Sequence, residues 1–96
     1  MAIDSDILYH LSLYVYGKSG RSESAIRTVQ QICTNHLLNK CRVEIVDLEE
    51  TPEAGQHDCI LATPTLIRKK PDPEYRIIGD LSDMAKVLSS LGITSS

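Results

Sequence analysis

The fold is decided by the stretch that runs from Ile60 to Asp83, with the sequence ILATPTLIRKKPDPEYRIIGDLSD. Within it, Thr63-Pro64 precedes an apolar run from Thr65 to Arg68, which predicts a strand. After the turn KKPDP, the segment from Tyr75 to Ile78 predicts a second strand. This half of the chain therefore predicts two consecutive strands that begin directly after a proline turn.

A helix is predicted to follow these two strands. Gly79-Asp80 ends the sheet, and Ser82 is expected to cap the helix, because its hydroxyl oxygen can accept a backbone N–H of the first turn. Apolar residues then recur at helical spacing, namely Leu81, Met84, Ala85, Val87, Leu88 and Leu91. The second half of the chain thus has the predicted order strand, strand, helix.

The first half of the chain predicts a strand, a helix and another strand. Ile7 to Tyr16 has the composition of a strand, and the loop Gly17–Ser22 is rich in glycine and serine. From Ser22, the expected N-cap, an apolar stripe predicts a helix to about residue 38. Arg42 to Leu48 predicts the second strand, and a helical turn is expected from Pro52. A parallel, right-handed crossover follows, and the whole order is β-α-β-(turn)-β-β-α, a three-layer α/β domain.

Composition and charge limit the class of protein. The 96 residues predict one domain over residues 1–96, and 42% hydrophobic residues are typical of a folded protein. The net charge of −3 argues against general nucleic-acid binding, which needs an excess of basic residues to neutralise phosphates. No apolar run approaches the roughly 20 residues that span a bilayer, and the N-terminus does not resemble a secretory signal. A cytoplasmic protein without nucleic-acid or membrane partners is therefore expected.

The order of the predicted elements matches the thioredoxin-like scaffold, in which Thr63-Pro64 takes the place of a cis-proline. A trans proline that opens the strand is the alternative. Oxidoreductases with this scaffold carry a reactive cysteine at the N-terminus of the first long helix, where N–H groups and the helix dipole stabilise a thiolate. The corresponding segment here, Gly17–Ser24, reads GKSGRSES and contains no cysteine. Dithiol catalysis is therefore not expected, and the sequence favours a protein that is not an enzyme.

The three cysteines of the chain are Cys33, Cys41 and Cys59, which are too widely spaced for a disulfide framework. A metal site can be constructed from these residues together with His36 and His57, but it lacks the paired cysteine spacing of zinc modules. The preferred interpretation is that Cys33 packs on the buried face of the first helix and that the other two are ordinary thiols. No metal ion or other cofactor is expected.

Four segments of the chain carry a resemblance to a known family. They are LYVYGKSG (residues 13–20), VDLEETPE (46–53), ILATPTL (60–66) and RIIGDLSDMAKVL (76–88). Together they resemble the KaiB family of circadian clock proteins, over nearly the whole chain. The departures from the family pattern are at Ser24, Glu44, Cys59 and Asp72, where basic residues or a proline are common in the family. Because of these departures, the chain is expected to be either a KaiB protein or a divergent KaiB-like paralogue.

The resemblance implies a non-catalytic adaptor. KaiB proteins occupy two folds, a self-associated ground state with the order βαββααβ, as dimer or tetramer, and a thioredoxin-like monomer. The monomer binds the ATPase ring of KaiC, and that complex can sequester KaiA; KaiB-like domains also occur in a clock-output histidine kinase. A partner that binds one of two packings shifts the population towards it. The alternative is a thioredoxin-fold thiol sensor or stress protein that uses Cys59.

The resemblance also suggests which residues act. The partner-binding surface is expected around the exposed edge of the second strand, the first helix and the segment before the proline turn, and comprises Arg27, Cys41, Arg42, Glu44, Asp58, Cys59 and Ile60. Three prolines are expected to control the change of fold, because X-Pro bonds isomerise slowly; they are Pro64, Pro71 and Pro73.

Overall fold

The computed structural model describes residues 8–35, 40–70, 73–79, 81 and 83–92. In chain order, the elements formed by these residues are β1 (Tyr9–Val15), α1 (Gly20–Asn35), β2 (Cys41–Asp47), α2 (Pro52–His57), β3 (Thr65–Lys70), β4 (Tyr75–Ile78) and α3 (Met84–Leu91). Of the two folds that the sequence suggested, the structure has the thioredoxin-like one. Pro71 lies outside the described residues.

The strands form a mixed sheet with the order β2-β1-β3-β4. β1 is paired in parallel with β2, so that Leu13 lies opposite Ile45, as the predicted crossover through α1 requires. On its other side, β1 is antiparallel to β3, with Leu13 opposite Leu66, and β3 is antiparallel to β4. β1 and β3 are therefore internal, whereas β2 and β4 form the two edges.

One face of the sheet holds the hydrophobic core. Side chains alternate between the faces of a strand, so Leu11, Leu13 and Val15 of β1 point to the same side. These residues and Leu66 of β3 pack with residues of α1 and α3, namely Ala25, Val29, Ile32, Val87, Leu88 and Leu91. The two longer helices therefore cover this face, which we call the core face.

The second face is also buried at its centre. Ser12, Tyr14, Thr65 and Ile67, which alternate with the core residues, are each less than 5% exposed. The segment that follows α2 covers them, because Tyr14 contacts Asp58 and the Thr65 hydroxyl donates to the carbonyl of residue 62 over 2.6 Å. The sheet is therefore the middle layer of three.

The Thr63-Pro64 bond is cis, as the sequence predicted. Thr65, the next residue, pairs with Tyr14 near the end of β1, so Pro64 lies at the end of the sheet where the loop before α1 begins. The Pro64 carbonyl accepts a hydrogen bond of 3.0 Å from the Gly79 N–H, which follows β4. Pro64 is buried and joins three parts of the chain that are distant in sequence.

The predicted N-cap of α1 was wrong by one turn. Ser19, not Ser22, caps α1, because its hydroxyl oxygen accepts the Ser22 N–H over 3.1 Å and its carbonyl accepts the Glu23 N–H over 3.0 Å. Asp83 caps α3 by accepting the N–H of residue 86 over 3.2 Å, and the predicted cap, Ser82, lies outside the described residues.

The predicted turn KKPDP is shorter than expected, because Lys69 and Lys70 belong to β3. Lys70 pairs with His10 at the start of β1, across an irregularity in register between His10 and Leu11. The extension places Lys69 within the sheet, where it contributes to the site described below.

We predict that Leu66→Ala lowers the free energy of unfolding by about 2–5 kcal/mol, because it leaves a cavity in the core. Leu66 is 0% exposed. The matched control is Leu61→Ala, which removes the same atoms from a side chain that is 96% exposed and should change stability by less than about 0.5 kcal/mol. Urea unfolding measures both, and equal losses would contradict this description of the core.

Candidate functional site

A tight turn follows α2 and contains three of the predicted partner-binding residues, Asp58, Cys59 and Ile60. The Asp58 N–H donates to the Ala54 carbonyl over 3.2 Å, and the Ile60 N–H donates to the Gly55 carbonyl over 2.7 Å. Cys59 has a φ of 57°, in the left-handed region that a non-glycine residue adopts infrequently. The turn is therefore closed by backbone hydrogen bonds and presents Cys59 to solvent.

Side chains from three strands hold this turn against the second face of the sheet. The Tyr14 hydroxyl of β1 donates a hydrogen bond to Asp58 Oδ2. Lys69 Nζ of β3 lies 3.5 Å from the same oxygen, and Arg76 Nη1 of β4 donates to the Cys59 carbonyl over 3.4 Å. We call residues 58–60 with these contacts the strapped turn.

The strapped turn has a defined protonation state. The hydrogen bond from Tyr14 lowers the pKa of Asp58 below its ordinary value, with further help from His57 and the Lys69 ammonium and against the effect of burial. Burial raises the pKa of the Tyr14 phenol, and the contact with Asp58 raises it further. At neutral pH the pair is therefore a protonated phenol that donates to an ionised carboxylate.

A polar groove of about 470 Å³ lies on the same face of the sheet, next to the edge strand β2. Its lining residues are His10, Leu11, Ser12, Arg42, Val43, Glu44 and Lys69. Arg42 and Glu44, which the sequence singled out, are both exposed here. Lys69 lines the groove and also contacts Asp58, so the polar groove and the strapped turn form one continuous surface.

A second, more apolar groove of about 530 Å³ lies beside α2. Its lining residues are Tyr16, Leu48, Pro52, Gly55, Gln56, Cys59, Ile60 and Leu61. Leu61 is 96% exposed and Tyr16 58% exposed, which are high values for large apolar side chains. The lining offers one thiol, that of Cys59. The strapped turn therefore separates a polar groove from an apolar one.

The structure brings together most, but not all, of the predicted partner-binding residues. Arg42, Glu44 and the strapped turn share the second face of the sheet. Arg27 is exposed on α1, which packs on the core face, so it does not join them. Cys41 is half-buried against Cys33, whose thiol donates to the Cys41 carbonyl over 3.2 Å. Pro73 is exposed, and its carbonyl accepts a hydrogen bond from Arg68 over 2.9 Å.

Sequence reasoning missed Tyr14, Lys69 and Arg76, which hold the strapped turn in place. Tyr14 was an aromatic residue of a predicted strand, and Lys69 was placed in a turn. A signal was available for Tyr14, because a tyrosine that alternates with core leucines on an internal strand requires a partner for its hydroxyl. The identity of that partner, Asp58, is not encoded locally, since the two residues are 44 positions apart.

The described residues hold no group of three histidine, cysteine or acidic side chains arranged to bind a metal ion. In the same part of the chain, every helix is too short or too polar to cross a bilayer. What the site does offer is an edge strand, two adjoining grooves and a turn fixed by charged and polar contacts. This arrangement is suited to binding another protein.

The sheet order, the cis-proline before β3 and a first helix that starts without a cysteine define a thioredoxin-like domain that lacks the reactive thiol pair. The chain belongs to the KaiB family, whose model, described as KaiB domain, matches residues 12–93.

Curated relatives agree with this assignment. The circadian clock protein KaiB3 of Synechocystis sp. is 45% identical over 83 residues, which cover 86% of this chain and 81% of the relative. The circadian clock oscillator protein KaiB of Prochlorococcus marinus (strain MIT 9211) is 40% identical over 85 residues, covering 88% of this chain and 75% of the relative. The sequence-based assignment to the KaiB family is therefore confirmed.

Solved structures that are similar to this one support the fold. Chloroplastic thioredoxin z superimposes with a TM-score of 0.75 at 21% identity, covering 95% of this chain and 81% of that one. The N-terminal domain of SasA from Synechococcus elongatus gives a TM-score of 0.70 at 17% identity, covering 93% and 88%. At these identities the likeness concerns the fold alone, and it confirms the predicted thioredoxin-like class.

We predict a pH-dependent effect of Asp58→Asn. Because the pKa of Asp58 is lower in the folded state than the unfolded value of about 3.9, its carboxylate stabilises the fold above that pH. The contribution is lost as the pH falls through the lowered folded-state pKa. At pH 7 the variant should be less stable than the parent protein by about 1 kcal/mol, and the difference should shrink as the pH falls below the unfolded value.

Chemical unfolding at several pH values measures this difference. Glu50→Gln, which neutralises an exposed carboxylate, is the control and should show little difference at any pH. A loss for Asp58→Asn that is equally large at both ends of the pH range would show that packing, rather than the charged hydrogen bond, holds the turn.

Proposed function

We propose that this chain is a non-catalytic adaptor of a circadian-type clock, which binds a KaiC-like ATPase ring and in that complex sequesters a KaiA-like protein. The observation that carries the proposal is the match to the KaiB family on a thioredoxin-like fold whose first helix begins without a cysteine. A clock-output histidine kinase is a further candidate partner, and the N-terminal domain of SasA shares the fold of this chain.

The edge strand β2 supports docking through the backbone. It is hydrogen-bonded to β1 on one side, and no other strand of the described residues pairs with its outer side. An open strand edge offers N–H and C=O groups to a partner strand. Arg42 and Glu44 are exposed on β2, and so is Ile45, at 40%, which gives the edge both charge and apolar area.

The strapped turn and the two grooves extend this surface beyond the edge. Cys59, Ile60 and the nearly fully exposed Leu61 provide an apolar contact, and Arg42 with Lys69 provides positive charge next to Glu44. Interfaces with a buried apolar centre and a charged rim are typical of specific protein complexes. Arg27 on α1 completes the proposed surface only if the partner reaches around the edge strand to the core face.

Departures from the family pattern bear on which ring is bound. Glu44 and Cys59 stand where basic residues are common in the family, so the surface is less positive than the family pattern predicts. Opposite charges on the two partners steer association, and like charges exclude wrong partners. A KaiC-like ring that matches this chain should therefore carry fewer acidic groups at its docking site than one that binds a more basic KaiB.

A second part of the proposal is that the thioredoxin-like fold is in equilibrium with a self-associated ground state, a dimer or tetramer of the order βαββααβ. The strapped turn marks the boundary between the part of the chain that both folds share and the part that differs, since the chain after Asp58 would change its secondary structure. If the binding fold is a minor fraction, the apparent affinity for the ring falls by that fraction and association is slow.

We predict that Arg42→Glu weakens binding to the cognate KaiC-like ring about tenfold or more, because it reverses a charge at the centre of the proposed surface. The matched control is Lys86→Glu, which makes the same change of charge at an exposed position of α3. This helix packs on the core face, on the other side of the sheet from the polar groove. The control variant should leave the affinity unchanged. The measurement is co-elution and affinity by titration, after incubation for hours with nucleotide.

Two outcomes would count against the proposal. Equal effects of Arg42→Glu and Lys86→Glu would mean that the surface is wrong, and no complex at any salt concentration would mean that the partner class is wrong. Diffusion-limited association would retain the ring as partner and contradict the minor-state equilibrium.

A further inference from the structure

Two thiols that the sequence treated separately are in contact. Cys33 lies near the end of α1 and Cys41 is the first residue of β2. The Cys33 thiol donates to the Cys41 carbonyl over 3.2 Å. Both residues are half-buried, so neither thiol is enclosed by the core. The prediction of unrelated, ordinary thiols therefore missed a pair.

We propose that Cys33 and Cys41 form an intramolecular disulfide when the protein meets a peroxide, and that this bond is a reversible redox latch between the end of α1 and the start of β2. A disulfide requires two cysteines whose backbones are a few ångströms apart. The Cys33 sulfur lies 3.2 Å from the Cys41 carbonyl oxygen, which places the end of α1 beside the start of β2. The disulfide would close a covalent loop over residues 33–41 of the chain.

The oxidation can be written with hydrogen peroxide as the oxidant. Cys33 Sγ attacks one peroxide oxygen, the O–O bond breaks, and the sulfur becomes a sulfenic acid while one water leaves. Cys41 Sγ then attacks that sulfur, the S–O bond breaks, the S–S bond forms and a second water leaves. The two sulfurs lose two electrons in total, and the peroxide gains them. A thiol reductant reverses the change by exchange.

Burial raises the pKa of the Cys41 thiol, and the contact with Cys33 raises it further, so its reactive thiolate forms sparingly at neutral pH. The product does not depend on which thiol is oxidised first, because the other then displaces water from the sulfenic acid and the same disulfide forms.

Cys59 is placed too far away to take part in the pair. It lines the apolar groove together with Leu48, which follows the last residue of β2, whereas Cys41 is the first residue of that strand. Cys59 and Cys41 therefore lie at opposite ends of β2, separated by the length of a strand of seven residues. Cys59 is exposed, so its expected oxidation product is a cross-link between molecules or with a small thiol.

The latch bears on the proposed function, on which this part of the inference rests. Cys41 precedes Arg42 and Glu44 on the edge strand, so a bond to α1 fixes the first residue of the proposed docking edge. Cross-linking also restricts the unfolded chain and stabilises the folded form. Both folds begin with the order β-α-β and differ only after Asp58, so the disulfide stabilises the part of the chain that they share and should not by itself select one of them.

The test uses the Cys59→Ser protein, which retains only the paired thiols. It is treated with hydrogen peroxide and unfolded, and its free thiols are counted by alkylation and mass spectrometry. We expect both thiols to be lost together, with a peptide that links Cys33 to Cys41, and both to return with dithiothreitol. In Cys33→Ser/Cys59→Ser and Cys41→Ser/Cys59→Ser, the intramolecular product should be absent.

Two results would overturn the latch. One is that Cys33 and Cys41 stay alkylatable while the exposed Cys59 of the parent protein is fully oxidised. The other is that the pair gives only sulfinic acid or intermolecular cross-links.

A second measurement keeps the latch and the proposed function distinguishable. The thermal midpoint of oxidised Cys59→Ser should rise by about 5 °C or more over the reduced form, and the rise should be absent in the double variants. If the linked peptide and this rise are found but ring binding is unaffected by oxidation, the latch is supported and its role in docking is wrong. If no linked peptide forms, the latch itself is wrong, whatever the ring does.

Discussion

The structure depends on the position of β1, an internal strand that is buried on both faces. Leu11 and Leu13 point into the core under α1 and α3, while Ser12 and Tyr14 point to the other side and are equally buried. Because side chains alternate along a strand, a shift of one residue would exchange these two sets. Such a shift would place polar groups in the core and leucines under the strapped turn. The register of β1 therefore fixes both outer layers at once.

The functional surface follows from that constraint. A tyrosine buried on the second face must find a partner for its hydroxyl, and Asp58 supplies it at the end of α2. The same carboxylate meets Lys69, which extends into the polar groove. The contact that stabilises the second face thus also places residues 58–60 between the two grooves. Stability and recognition share one set of side chains here, so their mutational effects will be coupled.

The edge strand β2 shows what the fold leaves open. α1 covers its core face near Val43, but Ile45 and the two charged residues Arg42 and Glu44 stay exposed. A strand that is paired on one side alone can bind a partner or promote aggregation, and charged side chains limit nonspecific pairing. Cys41 begins this strand in contact with α1, which connects the edge to the thiol chemistry of its neighbour.

The sequence by itself determined the KaiB family, the lack of a cysteine before α1 and, within the thioredoxin-like alternative, the order of the described elements and a cis bond at Thr63-Pro64. It did not choose between that fold and the order βαββααβ. The features that it determined are local: periodicity reports which side of an element is buried, and short motifs report family. Tertiary structure alone decided the cap at Ser19, the place of Lys69 in β3 and the contacts of Tyr14 with Asp58 and of Cys33 with Cys41. Each of these features depends on strand register or on how the ends of two elements pack together. Residues distant in sequence decide both, so the local pattern of residues does not predict them.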